Sequence, residues 1–323
     1  MYQLPEEPHH ITREQLLAQL EVLKKKSIDP AEGLFGPDTM FWEVNKHFVN
    51  FFGAGRAALL QLAHPWVANA VFDHSETVGD PFGRFQRTFT NVWTMVFGST
   101  DQLLKCCIAV HNIHRGMTGK IHSEAGAFHQ GSHYQANETN AMLWVHATLW
   151  EGAVKMYEMF VRELTAAEKE QYYEESKLFA YCFGIREEDL PPTWDDFMAY
   201  CEAMWNSDQL TVSPEAREIA AYLFDLDTPW LKLPLSHFRV MTSMLLPERI
   251  REGFGLPPAT EKNMASFRRT VAVIRRVYPW VPRRLAYLPP YVEARRRIRG
   301  HDEPDFVTAK LNEILVGKAA LVS

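Results

Sequence analysis

Positive charge is in short supply: 34 Lys and Arg against 40 Asp and Glu leave a formal net charge of −6. That balance excludes a uniformly basic binder whose main task is neutralising phosphates, so no nucleic-acid partner is expected. Cysteine is scarce as well. Its four copies, Cys106, Cys107, Cys182 and Cys201, are adjacent or scattered, a pattern that makes neither a disulfide framework nor a CxxC zinc site, and they read as reduced core residues. No stretch approaches ~18 uninterrupted apolar residues, so no membrane-spanning helix is expected. The opening MYQLPEEPHH lacks the basic start and apolar run of a signal peptide, and a cytoplasmic location is the expectation. Internal repeats and low-complexity linkers are missing too. With 323 residues, 46% hydrophobic and 12% aromatic, there is ample material for a core, and disorder is excluded. One helical domain with elaborations is expected: an N-terminal helix and lead-in over 1–36, a main domain over 37–300 and a tail over 301–323.

What is present is histidine. Of 13, eight (His64, His74, His111, His114, His122, His129, His133 and His146) fall between positions 64 and 146. The segments around them read as helices. Thr12 followed by Gln15 is a capping-box start for a helix through about Lys26. Met40 to Phe52 and Arg56 to Ala63 are apolar on several faces, the mark of buried helices. His64-Pro65 interrupts, and Pro65 then suits a first helical turn. Phe82, Phe85, Phe89, Val92 and Val96 recur at steps of three or four. Thr100 can cap a helix to about Met117 that carries Leu103, Cys107, Val110, His114 and Met117 on one stripe. Asn140 to Glu163 places Met142, His146, Leu149, Ala153, Met156 and Phe160 on another. Further helices are expected over 166–183, 194–205, 214–224, 235–245 and 260–277. Sustained period-two alternation is absent, so the class is all-α; the stretch from Ile121 to Tyr134 is too rich in Gly, Ser and His to assign.

Two constellations can carry chemistry. An imidazole in the middle of an apolar stripe needs a partner, because an unpaired buried polar group costs on the order of 1–3 kcal/mol. For His114 that partner is either an ordinary carbonyl or carboxylate, or a metal, since neutral imidazole is the commonest protein metal donor. His111, His64, His74 and His146 make a multi-histidine non-haem metal site imaginable, yet HExxH, Glu-x-x-His and HxH are all missing. Arg84, Arg87 and Thr88 fall at i, i+3 and i+4 on one helical face. A guanidinium and a hydroxyl there can position an anion, a dioxygen or a peroxide, or simply form a solvated face. There is no G-x-S-x-G elbow, no G-x-G-x-x-G and no phosphate loop, and Gly53-Ala54-Gly55 reads as close helix packing.

In order and spacing, the runs GRAALLQLAHPWVANAVFDHSE, GRFQRTFTNVWTMVFGST, AVHNIHRGMTG and NETNAMLWVHATLWEGAVKMYE resemble the MpaB-type oxygenase family, which includes the rubber oxygenases. The likeness continues through LPPTWDDFMAYCEAMW, TSMLLPERIREGFGL and LPPYVEARRR, from about residue 45 to 299. It implies a globin-like helical core holding a b-type haem, within the 37–300 domain, and dioxygen-dependent oxygenation or cleavage of a small apolar, often isoprenoid, substrate. Carried over position by position, His114 stands at the histidine of the H-x-x-V/M-x-G segment and resembles the axial ligand of the haem iron. Arg84, Arg87 and Thr88 match a distal Arg-x-x-Lys-Thr face, with Arg87 where the lysine stands. An arginine stays protonated and cannot ligate iron as an amine can. His64, in the family's His-Pro pattern, and His146, in its Trp-Val-His-Ala-Thr-Leu pattern, line the pocket, bond haem propionates or serve structure. Phe82, Phe85, Phe89, Trp93 and Trp144 are candidates for a pocket wall. The same residues suit a haem-binding sensor or carrier without turnover, and the histidine cluster alone would suit a non-haem metalloenzyme. Residues 268–299 hold ten Arg against Glu293 alone. They could lie against anionic lipid, or form a solvated basic face pairing with the acidic body.

Overall fold

Why the chain folds around one helix is plain from residues 139–160. Thr139–Phe160 (α7) carries large apolar groups on every face, Met142, Trp144, Trp150, Val154, Met156 and Phe160 among them, and most of its length is buried. A helix apolar all round must lie inside. Around α7 pack Met40–Asn45 (α2), Ala54–Leu62 (α3), Ala166–Tyr181 (α8), Trp194–Asn206 (α9) and Glu261–Val277 (α13). The structure, a computed structural model, describes residues 9–27, 29–74, 81–224, 232–301 and 303–321, without the side chains of Pro81, Phe82, Arg84, Phe85, Lys232 and Leu233. Over these residues it is an all-α single domain with one small two-stranded sheet.

Arg13–Lys26 (α1) begins with the expected capping box of Thr12 and Gln15 and rests on Thr100–Gly116 (α6) and α8. Pro65–His74 (α4) starts at the expected proline, and Pro81–Phe97 (α5) packs on α6. Pro214–Phe224 (α10), Lys232–Leu245 (α11) and Glu248–Gly253 (α12) close one side. Arg283–Ala286 (α14), Pro289–Arg297 (α15) and Phe306–Val316 (α16) follow α13, and α16 returns to α5 and α15.

Two expectations are corrected, and one unassigned stretch is resolved. The single helix read over Met40–Phe52 is broken: α2 ends at Asn45 and a 3-10 turn runs from Phe48 to Gly53. Its cause lies far along the chain, where His47 bridges Tyr287 and the Leu288 N–H donates to the Lys46 carbonyl at 2.8 Å. That pairing holds His47 extended. The cap of α6 is Ser99 rather than Thr100, since Ser99 has Gln102 three residues on to complete a capping box. Finally, Thr118–Lys120 (β1) and His133–Gln135 (β2) form an antiparallel ribbon flanking the unassigned stretch, too short to show alternation.

Gly53 and Gly55 are close-packing residues. A Cβ on Gly55 would stand 2.4 Å from Thr242 Oγ1 of α11, and one on Gly53 would stand 2.8 Å from Met156 Cγ of α7.

Candidate functional site

His114 occupies the last turn of α6, where its carbonyl accepts the Met117 N–H at 3.0 Å. Further up the stripe, Leu103, Cys107 and Val110 are buried in the core, so the helix presents His114 inward as a half-buried residue. Its Nδ1 is fully buried and has no hydrogen-bond partner. Burial, reinforced by His111, pulls the imidazole down to about 4, so it is neutral at neutral pH.

The residue brought to it is His146 of α7, through a ring that no spacing argument could supply. Phe183, just past the end of α8, stands 4.5 Å from the His146 ring, edge to face, and 6.4 Å from the His114 ring. Phe179 and Trp150 close on His146 at 5.2 and 5.6 Å. His146 Nδ1 is buried and unpartnered as well, and burial, then the charge of His114, lowers its pKa to about 3. Two neutral imidazoles therefore share an aromatic, water-poor corner where α6, α7 and α8 meet.

The other histidines have different company. His64, at the α3–α4 junction, lies 5.0 Å from Phe128 with Nδ1 buried and unpartnered, and burial lowers its pKa to about 3. His111 also has a buried, unpartnered Nδ1. Beyond burial, the charges that act on it are Arg115 on its own helix and Arg13 and Glu14 of α1. His74 meets the Thr118 carbonyl at 3.0 Å, His122 pairs with Asp73 at 2.6 Å and His129 with Glu124 at 2.6 Å. Among the described residues no three His, Cys, Asp or Glu side chains are placed to hold a metal ion together. The multi-histidine centre imagined from composition is therefore not assembled by these residues.

On the neighbouring α5, Arg87 and Thr88 are exposed, and the side chain of Arg84 lies outside the described residues, as do those of Phe82 and Phe85. Phe89 and Trp93 cluster with Phe51 at ring distances of 5.0 to 5.8 Å. Trp144 is a core residue whose Nε1 donates to the Leu60 carbonyl at 2.8 Å. All four cysteines are free thiols, three of them buried, as expected. Among the described residues no helix is long and apolar enough to cross a membrane.

No curated protein and no solved structure matches the chain. A family described as the catalytic domain of ER-bound oxygenase mpaB/B′ and rubber oxygenase matches residues 42–276, which carry α3 to α12 and most of α2 and α13 and include His114, His146 and the Arg87–Thr88 face. With that span covering most of its length, the chain belongs to the mpaB and rubber oxygenase catalytic-domain family.

Proposed function

We propose that this oxygenase-family chain uses haem b, whose iron His114 would hold, to act with dioxygen on a small apolar substrate. The observation that carries the reading is the state of His114: a neutral imidazole with a buried, uncommitted ring nitrogen, at the inner end of α6. That donor suits haem iron, which takes neutral imidazole and satisfies a nitrogen that the protein leaves unpaired. When bound, haem would supply a redox-active iron at which dioxygen could be activated.

The chain's own residues would then do the rest. Phe183, Phe179 and Trp150 exclude water from the His146 side and keep that imidazole neutral. His146 and His64 are candidates to line the cofactor pocket or to donate to its propionates, each having an unpaired ring nitrogen. Arg84, Arg87 and Thr88 are the candidate catalytic donors on α5, a helix that packs directly on α6. The guanidinium groups of Arg84 and Arg87 would donate hydrogen bonds toward dioxygen or substrate, and the Thr88 hydroxyl would donate or accept. Because arginine stands where the family carries lysine, side-chain nitrogen ligation of the iron from position 87 is not available.

Haem reconstitution followed by oxidised and reduced absorption spectra tests this reading. A Soret band that His114→Ala abolishes and His111→Ala retains is the expected outcome. No Soret band after supplementation, or an unchanged spectrum in His114→Ala, removes the haem assignment. Product analysis after incubation with isoprenoid and lipid alkenes separates turnover from reversible oxygen binding.

A further inference from the structure

Beyond the cofactor corner, the opposite face of α13 is built like a surface that expects a partner. The inner face packs Phe267, Val271, Ile274 and Tyr278 against Val49, Met156, Phe160 and Leu245. Those steps of four, three and four leave a second stripe pointing outward, and it reads Arg269, Val273, Arg276, Val277 and Trp280. All five are exposed, Trp280 to 85%. Leu285 of α14 is exposed beside Arg283 and Arg284 on the next short helix.

The exposure of Trp280 is fixed by the fold. It lies in a 3-10 turn, Tyr278–Trp280, between Pro279 and Pro282. The inner side of that turn is anchored, since the Tyr278 hydroxyl donates to the Ala286 carbonyl at 2.9 Å and meets His47 Nδ1 at 2.7 Å. With Tyr278 tied inward, Trp280 is held outward.

Its charge is equally one-sided. Part of the Arg-rich segment is neutralised within the chain: Arg268 pairs with Glu261, Arg284 and Arg296 with Asp305, and Arg297 donates to the Ala31 and Phe97 carbonyls. Glu293, the segment's one acid, is turned inward to Asn312 and the Leu321 N–H. Arg269, Arg275, Arg276 and Arg283 make no ion pair among the described residues, and all four are exposed.

We propose that this face, the outer stripe of α13 with the Tyr278–Trp280 turn and α14, docks on an anionic phospholipid bilayer. Exposed Trp and aliphatic groups interleaved with unpaired arginines are what an interfacial helix presents: the apolar groups enter the headgroup boundary and the guanidinium groups meet lipid phosphates. A nucleic-acid partner would use the arginines but would leave Val273, Val277 and Leu285 unexplained. A second copy meeting the same face about a two-fold axis would set arginine against arginine. The turn and α14 lie beyond the family match, which ends at residue 276, and the surface is independent of the cofactor assignment.

The test is vesicle flotation of the full chain with phosphatidylcholine alone and with phosphatidylglycerol added, at low and high salt. Partition onto the anionic vesicles is expected, weakened by salt. It should fall about tenfold or more in Arg269→Glu/Arg276→Glu and in Trp280→Ala, given roughly 1 kcal/mol per basic group near a charged surface. Lys24→Glu, on exposed α1, should leave it unchanged, and circular dichroism verifies that each variant folds. No preference for anionic over neutral vesicles, or variants that float like the parent, overturns the proposal. So does light scattering that reveals a dimer dissolved by Trp280→Ala, which would give the face to a second copy.

Discussion

Arg56 and Glu151 lie 95 positions apart and form an ion pair inside the helical body, between α3 and α7. Arg56 is only 2% exposed; its Nε donates to the Leu245 carbonyl at 2.9 Å and its guanidinium lies over Trp205 at 5.5 Å. Lys155 approaches Glu151 at 3.5 Å from a more open position. A buried pair of this kind adds little over a well-packed apolar pair, but breaking it strands a charge. Arg56→Met is therefore expected to cost about 3–5 kcal/mol, because Glu151 keeps only Lys155, while Arg56→Met/Glu151→Leu should recover much of that loss. Urea denaturation midpoints of the two variants check it; a single variant as stable as the parent, or a double variant no better than the single, contradicts the argument. Nothing in the sequence marked this pair. An arginine in a helix is ordinarily solvated, and a contact across 95 residues leaves no local pattern. Phe183, which joins His114 to His146, was hidden for the same reason, whereas His114 itself stood out because an imidazole on an apolar stripe is an anomaly visible at short range.

Local chemistry decided how much of each element could be read in advance. The Thr12–Gln15 box needs only four residues of sequence and is found as expected; Ser99 with Gln102 is the same signal, one residue before Thr100. The break after α2 was illegible because Tyr287 imposes it from 240 positions away. Glycines on adjacent helices give a sharp test of packing against propensity. On Gly55 of α3 a Cβ would meet Thr242 Oγ1 at 2.4 Å and Phe238 at 3.2 Å, both on α11. On Gly152, in the middle of α7, no heavy atom apart from its chain neighbours and the helix's own nearby backbone lies within 4 Å of that position. Gly55→Ala is expected to destabilise by about 1–3 kcal/mol through overpacking. Gly152→Ala should stabilise by roughly 0.5–1 kcal/mol, the helix-propensity gain with space to spare. Thermal melts of the two variants should shift in opposite directions; two shifts of the same sign would mean that the α3–α11 seam yields more easily than these distances indicate.

At the scale of the whole molecule, burial of ionisable groups sets the response to acid. Burial lowers His64 and His146 from 6.5 to about 3, and His114 to about 4. For a base lowered in the folded state, the unfolded chain binds the proton that the native state refuses, so stability falls as pH drops below about 6.5. Each such histidine costs about 1.4 kcal/mol per pH unit until its folded value is reached. Glu138 acts in the opposite direction. It caps α7 by accepting the Asn140 and Ala141 N–H groups at 2.9 and 2.7 Å, yet burial outweighs these bonds and raises its carboxyl from 4.5 to about 7. Between about 7 and 4.5 the folded carboxyl takes up a proton before the unfolded one does, and falling pH is stabilising there. One of the three histidine losses is thereby offset down to about pH 4.5, below which all three act unopposed until His114 reaches its own value of about 4. The acid slope from these groups should steepen near that point, from about 2.7 to about 4 kcal/mol per pH unit. Denaturant titrations across this range measure the slope directly. Glu138→Gln should bring the steep limb up toward pH 6.5, and His64→Leu should flatten both limbs. A stability that stays level from neutrality to about pH 4 would mean that these imidazoles are already satisfied in the native state and carry no such penalty.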